Sequence, residues 1–147
     1  MITLSPATAA DAERLADIRV EAMRPSLEAV GLFDPQRARR RLLDDFSPGD
    51  TRLILAGDTL AGFCVIRLKP DHLRLQHLYL RPDQQGQGLG RAVLAMVKDL
   101  ARGHALPIRL SALKESPSNG FYLRNGFRLA GAEGFDIHYH WHYHWQP

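Results

Sequence analysis

Apolar residues recur along this chain with two periods, one of helices and one of strands. Leu15, Ile18 and Ala22 follow at helical spacing behind Thr8 and Asp11, which have the form of a helix-opening cap. The spacing predicts a first helix to about Val30, ended by Gly31. Asp34-Pro35 reads as an N-cap followed by a first-turn proline, opening a second helix that carries Leu42, Leu43 and Phe46. Pro48-Gly49-Asp50 then breaks the chain. Strand-like runs are residues 2–5, TRLILA and LAGFCVIRL, the last two joined as a hairpin by Gly57-Asp58, and LRLQHLYL after Pro70-Asp71. Leu89, Val93, Met96, Val97 and Leu100 mark one face of an amphipathic helix that Gly103 should close. PIRLSAL is a further strand, Ser118 to Arg124 a short helix stopped by Asn125-Gly126, and FRLAG and FDIHYHWHYHW are the final strands. The order β-α-α-β-β-β-α-β-α-β-β, about seven strands and four helices, predicts a mixed α/β (α+β) sheet domain. No repeat or linker divides it, so residues 1–147 read as one domain.

Composition narrows the function classes. Of 147 residues, 45% are hydrophobic and 24% charged, which fits a folded globular chain, and no apolar run approaches the roughly 20 residues of a membrane span. MITLSPATAADAERL has no basic segment followed by an apolar block, so the expected location is cytoplasmic. The lone cysteine, Cys64, lies in the apolar run AGFCVI and reads as a buried structural thiol. A formal charge of +3 with dispersed arginines gives no nucleic-acid footprint.

The stretch QQGQGLGR, Gln84 to Arg91, holds three glycines at alternate positions between a strand and a helix. A P-loop would continue Gly-Lys-Ser/Thr, but Gly90 is followed by Arg91-Ala92. A dinucleotide fingerprint would need glycine where Arg91 stands. What remains is a helix N-terminus with bare backbone around it, which is physically an anion site. Arg91 agrees, since a cation in a first helical turn is unfavourable without an anion nearby.

Gln85-x-x-Gly88-x-Gly90, behind the strand and proline of LYLRP, resembles the Arg/Gln-x-x-Gly-x-Gly/Ala signature of the GNAT acetyltransferase superfamily. Downstream, Phe121-Tyr122-Leu-Arg-Asn-Gly126-Phe127 is similar to that family's Phe/Leu-Tyr-x-x-x-Gly-Phe motif. The resemblance covers nearly the whole chain. It implies acetyl-CoA as co-substrate, its pyrophosphate held by the backbone of Gln85, Gly86, Gln87, Gly88, Leu89, Gly90 and Arg91, and its pantetheine lying beside Leu78, Tyr79 and Leu80 like an added strand. Asn119 and Tyr122 join this cofactor set, and Tyr122 matches the family tyrosine that protonates the departing thiolate.

The group that accepts the amine's proton is harder to name. Many relatives use a glutamate on the strand before the glycine loop, and LRLQHLYL has no carboxylate. His77 is the candidate there, with His72, Glu21 and Glu28 as others. Strand alternation puts Gln76, Leu78 and Leu80 opposite His77 and Tyr79, which turns His77 away from the substrate face. Arg37, Arg39, Arg40 and Arg41 read as a solvated helix face, and Met23, Leu27, Val30, Leu32 and Phe33 as core in preference to acceptor pocket.

In the tail, His138, His140, His142 and His144 share one face of an extended strand, a spacing open to a metal ion. No cysteine or carboxylate cluster completes such a site, so no metal is expected, and the tyrosines and tryptophans should bury against the sheet or a partner in a homodimer. The leading expectation is an N-acetyltransferase that moves acetyl from acetyl-CoA to a primary amine by direct attack in a ternary complex. A non-catalytic acyl-CoA sensor and a metal-binding assembly module are the alternatives.

Overall fold

Asp34 illustrates how locally the fold is encoded: its Oδ1 accepts a hydrogen bond from the Arg37 backbone N–H at 3.1 Å, and Pro35 opens the helix behind it. At the head of the first helix, the Asp11 carboxylate accepts from the Thr8 backbone N–H at 2.8 Å. The computed structural model describes residues 1–145, and the last two residues of the expected domain lie outside it. The elements are β1 (Ile2–Pro6), α1 (Ala12–Ala29), α2 (Pro35–Leu43), β2 (Thr51–Ala56), β3 (Thr59–Leu68), β4 (Leu73–Leu80), α3 (Leu89–His104), β5 (Ile108–Leu113), α4 (Ser118–Arg124), β6 (Arg128–Glu133) and β7 (Asp136–Trp141). Their order is the one the hydrophobic pattern predicts. No helix among the described residues is long and apolar enough to cross a membrane.

One 7-stranded sheet runs β1-β2-β3-β4-β5-β7-β6. Every neighbouring pair is antiparallel except β4 and β5, whose parallel direction requires the crossover that α3 supplies. Helices cover both faces. Leu15, Ala16, Ile18 and Leu42 of α1 and α2 pack on Leu53, Phe63 and Val65. Val93, Leu94, Val97 and Ala101 of α3 pack on the opposite face with Ile54, Cys64, Leu73, Leu75, Ile108 and Leu110. Cys64 is fully buried, and burial pushes its thiol up to about 12, as befits a structural residue.

β4 departs from strict alternation. Val65 pairs with His77 and Ile66 with Leu75, so Gln76 is an extra residue bulged out of the ladder. The bulge resets the side-chain order: Leu73, Leu75, Leu78 and Leu80 all join the α3-side core, while Tyr79 joins the α1-side core. Gln76 therefore does not share a simple face with Leu78 and Leu80, as alternation had it.

Two further expectations are corrected. Gly103 does not close α3; the helix continues to His104, and Ala105 takes the left-handed position at φ 54°. The last strand stops at Trp141, because its neighbours run out: Trp141 pairs with Ile108, the first residue of β5, and His140 with Arg128, the first of β6. Only His138 and His140 lie on the strand. The Trp145 N–H donates to the His142 carbonyl at 3.1 Å, closing a turn beyond it. Tyr139 and Trp141 bury in this chain's own core.

A left-handed alanine costs about 1–2 kcal/mol, partly offset in the unfolded chain by glycine's extra freedom. Ala105→Gly should therefore raise the unfolding free energy by about 0.5–1 kcal/mol in urea titration.

Candidate functional site

The β4–β5 ladder has only two residue pairs, Leu73 with Ile108 and Arg74 with Arg109. Beyond them the bulge at Gln76 bends β4 away, and no strand covers its β5-side edge from Leu75 to Leu80. The gap becomes a cleft of about 860 Å³, within the range of small-molecule sites. β4 and β5 form its floor, α1 and α2 one wall, and the start of α4 with the β6–β7 turn the other.

The glycine loop lies at the open end of β4. Gly86 and Gly88 sit at φ 78° and 80°, where an L side chain is strained, and open space surrounds the position a Cβ would take on each. Gly90 is there for a different reason: its Cβ would stand 3.1 Å from the Phe121 ring, so it lets α3 approach α4. Gly88 caps α3, and the first bond inside the helix runs from the Ala92 N–H to the Gly88 carbonyl at 3.1 Å. The N–H groups of Leu89, Gly90 and Arg91 precede that bond and are the orphan donors of a helix start. Two glutamine side chains brace the loop: Gln85 Nε2 donates to the Leu80 carbonyl at 3.1 Å and Gln87 Nε2 to the Asp83 carbonyl at 3.2 Å.

Tyr122 is 7% exposed, lines the cleft, and packs against Phe121, Phe127 and Tyr139. Burial, with a smaller contribution from Tyr79, pushes its phenol well above the usual value, so it carries its proton at any physiological pH. Asn119 is occupied internally. Its Nδ2 donates to the Leu113 carbonyl at 2.9 Å and the Ser116 carbonyl at 3.0 Å, and its Oδ1 accepts from the Tyr139 hydroxyl at 2.7 Å. It locks α4 to β5 and β7, and its side chain has little left to offer a ligand.

On the α1 side, Arg19 Nε donates to the Tyr79 hydroxyl at 3.2 Å, and that oxygen lies 3.1 Å from His77 Nδ1. The phenol oxygen accepts from the guanidinium and shares a second hydrogen bond with the imidazole, so Tyr79 joins Arg19 of α1 to His77 of β4. Burial first, then the nearby charges of Arg19, Arg67 and Arg74, push His77 down to about 3. His77 lines the cleft, contrary to the turn away that alternation implied. His72 pairs with Asp71 at 2.7 Å at the closed end of β4, outside the cleft, and Glu28 pairs with Arg24 on the outside of α1. Glu21 is exposed and also outside the cleft.

The second helix is not simply a solvated face. Arg39 bridges to Glu13 and Asp17, stapling α2 to α1, and Arg37 and Arg41 line the cleft. Met23, Leu27 and Leu32 also line the cleft and are not core. Arg19, Arg74 and Ser111 were missed in the sequence. A signal was present for Arg19, which stands four residues after Leu15 on the buried stripe of α1, where an apolar residue belongs.

The GNAT acetyltransferase family model matches residues 13–127, most of the chain. Among curated proteins none matches. Many solved structures are similar in fold. PaiA N-acetyltransferase of Thermoplasma acidophilum, in complex with coenzyme A, aligns at TM-score 0.79 with 18% identity, over 97% of this chain and 99% of that one. An acetyltransferase of Thermus thermophilus aligns at 0.73 with 22% identity, over 95% and 96%. N-acetylglutamate synthase of Neisseria gonorrhoeae, with coenzyme A and N-acetyl-glutamate, aligns at 0.69 with 17% identity, over 98% of this chain and 35% of that one. With the family model spanning the glycine loop, the splayed strands and the Tyr122 motif, this chain belongs to the GNAT acetyltransferase family and is an acetyltransferase.

Proposed function

We propose that the chain transfers an acetyl group from acetyl-CoA to a primary amine of a small molecule or peptide, by direct attack in a ternary complex. The observation that carries this reading is the opening of β4 from β5 between the glycine-rich start of α3 and Tyr122. Two of the similar structures above contain coenzyme A, which supports it as the ligand of the same opening here. The N–H groups of Leu89, Gly90 and Arg91 suit its pyrophosphate, and the Arg91 side chain adds a charge at the same place. The main-chain groups of Leu78, on the open edge of β4, suit the amides of its pantetheine arm, whereas those of Tyr79 turn to Phe63 of β3 and the Leu80 carbonyl already accepts from Gln85.

Acetyl-CoA supplies the electrophilic thioester carbonyl and the thiol leaving group; the protein supplies position and a proton. As the amine lone pair forms the C–N bond and the C–S bond breaks, Tyr122 delivers its phenolic proton to sulfur. The raised phenol is a weaker acid than usual and keeps its proton until negative charge develops on the departing sulfur beside it. His77 suits a hydrogen-bonding role better than that of a base. A ring pushed down to about 3 holds a proton poorly, so the amine's proton leaves to water once the new bond has acidified the nitrogen. The lone cysteine is sealed in the core, which leaves covalent acetyl transfer through a thiol without a nucleophile. Among the described residues no group of three or more histidine, cysteine or carboxylate side chains is placed to hold a metal ion.

Calorimetry should show acetyl-CoA binding to the chain, and thiol release on adding amines should separate an enzyme from a sensor. Tyr122→Phe should cut kcat by about 10²-fold while leaving acetyl-CoA affinity within about twofold, and an unchanged kcat would remove Tyr122 as the acid. For His77, the folded value lies below the ordinary 6.5, so as pH falls the unfolded chain takes up the proton first. Its contribution to stability is complete above pH 6.5 and is lost as pH falls toward about 3. Denaturant titrations at stepped pH should show that decline, with a shallower slope in His77→Gln.

A further inference from the structure

The rim of the cleft carries charges of both signs, with Arg37 and Arg41 exposed there, whereas among the described residues the cleft's one buried charged residue is basic. The acidic residues, Asp34, Asp45, Glu133 and Asp136, are exposed at the rim. Asp34 caps α2, and Asp45 pairs with Arg67 at 3.0 Å. Arg19 lies at the floor and is only 6% exposed. None of the ion pairs among the described residues includes Arg19 or Arg74.

Arg19 uses Nε on the Tyr79 hydroxyl and Nη1 on the Ala38 carbonyl at 2.7 Å. Both bonds fix the plane of the guanidinium and neither neutralises it. Among the described residues its Nη2 has no hydrogen-bond partner. It is not sealed either, because among the described residues Arg67 Nε is the one buried side-chain polar atom left without a hydrogen bond. Nη2 therefore keeps some accessible surface, on a residue that lines the cleft. Arg74, half-buried on β4, gives one bond to the Ser111 hydroxyl at 3.1 Å, is within reach of the Asp136 charge, and also lines the cleft, so the guanidinium without a counter-charge is that of Arg19. A guanidinium held away from water without a counter-charge is costly, and a planar fork that is already oriented is the group best matched to a carboxylate.

We propose that the acceptor amine carries a carboxylate, and that Arg19, helped by Arg74, holds it on the cleft floor while the amine is presented for acetylation. This rests on the acetyltransferase reading above and adds the chemical class of the acceptor. A simple diamine has nothing to offer these two residues and would be repelled by them. Arg19 is a specificity residue here and plays no part in bond making.

The test uses the full chain with acetyl-CoA, following thiol release. The probes are glycine, β-alanine, 4-aminobutanoate and glutamate, each beside its carboxamide, together with putrescine. The best acid should exceed its carboxamide in kcat/KM by about tenfold or more, since a charge-assisted bidentate contact is lost in the amide. Arg19→Gln should bring that ratio close to one, Arg19→Lys should restore part of it, and acetyl-CoA affinity by calorimetry should stay within about twofold in both. Arg74→Gln, at a less buried position, gives the same readout should Arg19→Gln fold poorly, and should lower the ratio severalfold. Carboxamides or putrescine used as well as the acids would overturn the proposal, as would Arg19 variants that keep the full ratio. Binding of the same acids to the chain saturated with coenzyme A is measured in parallel, and no binding of any acid also overturns it. Failure of acetyl-CoA itself to bind sinks the acetyltransferase reading instead, and acid binding to the free chain then decides the role of Arg19 alone.

Discussion

The whole arrangement depends on a ladder that stops early. Two parallel residue pairs hold β4 to β5, and after Arg74 and Arg109 the strands part. Six residues of β4 are left with an open edge, in a position where a sheet would normally satisfy every main-chain group. The bulge at Gln76 lies just past the last pair, where an inserted residue bends and twists the strand. Had the pairing continued to Leu80 there would be no cleft, and the glycine loop would be an ordinary connection between a strand and a helix.

The opening is stable because it is built between two separate cores. On one face α3 seals Val93, Leu94 and Val97 onto Leu73, Leu75 and Ile108, which ties the closed end of the strand pair. On the other, α1 and α2 pack onto Phe63 and Val65 of the neighbouring strand, β3. Each face of the sheet thus has its own helical support, and the strands separate at one end while Leu73, Leu75 and Ile108 stay packed at the other. Arg39, bridging to Glu13 and Asp17, holds α1 and α2 together as one wall. Arg19 and Tyr79 then link that wall to the floor.

Much of this was legible in the sequence, and the parts that were not have physical causes. Capping by Asp34, the Gly57-Asp58 hairpin and the stripe on α3 are local signals, written within a few residues of where they act. The bulge at Gln76 is not local: it is defined by what stands opposite on β3, and alternation along β4 alone assigned the wrong face order. The end of β7 was missed for the same reason, since the histidine and aromatic alternation continues after the partner strands have run out. Ala105 shows propensity overruled, a left-handed site filled by alanine two residues after the glycine that fits it better. In the site, the glycine loop and Tyr122 were readable as motifs. The internal engagement of Asn119 and the depth of Arg19 were not, because each depends on contacts between distant segments.

Cys64 has one more consequence. Its sulfur is the lone thiol of the chain, enclosed between β3 and α3 with no exposure to solvent. A thiol-directed dye can reach it only when the sheet and helix come apart, so its rate of labelling counts openings of the core. The chain carries a built-in clock for its own unfolding, silent while the fold is intact and adding no background colour when a released thiol is being followed.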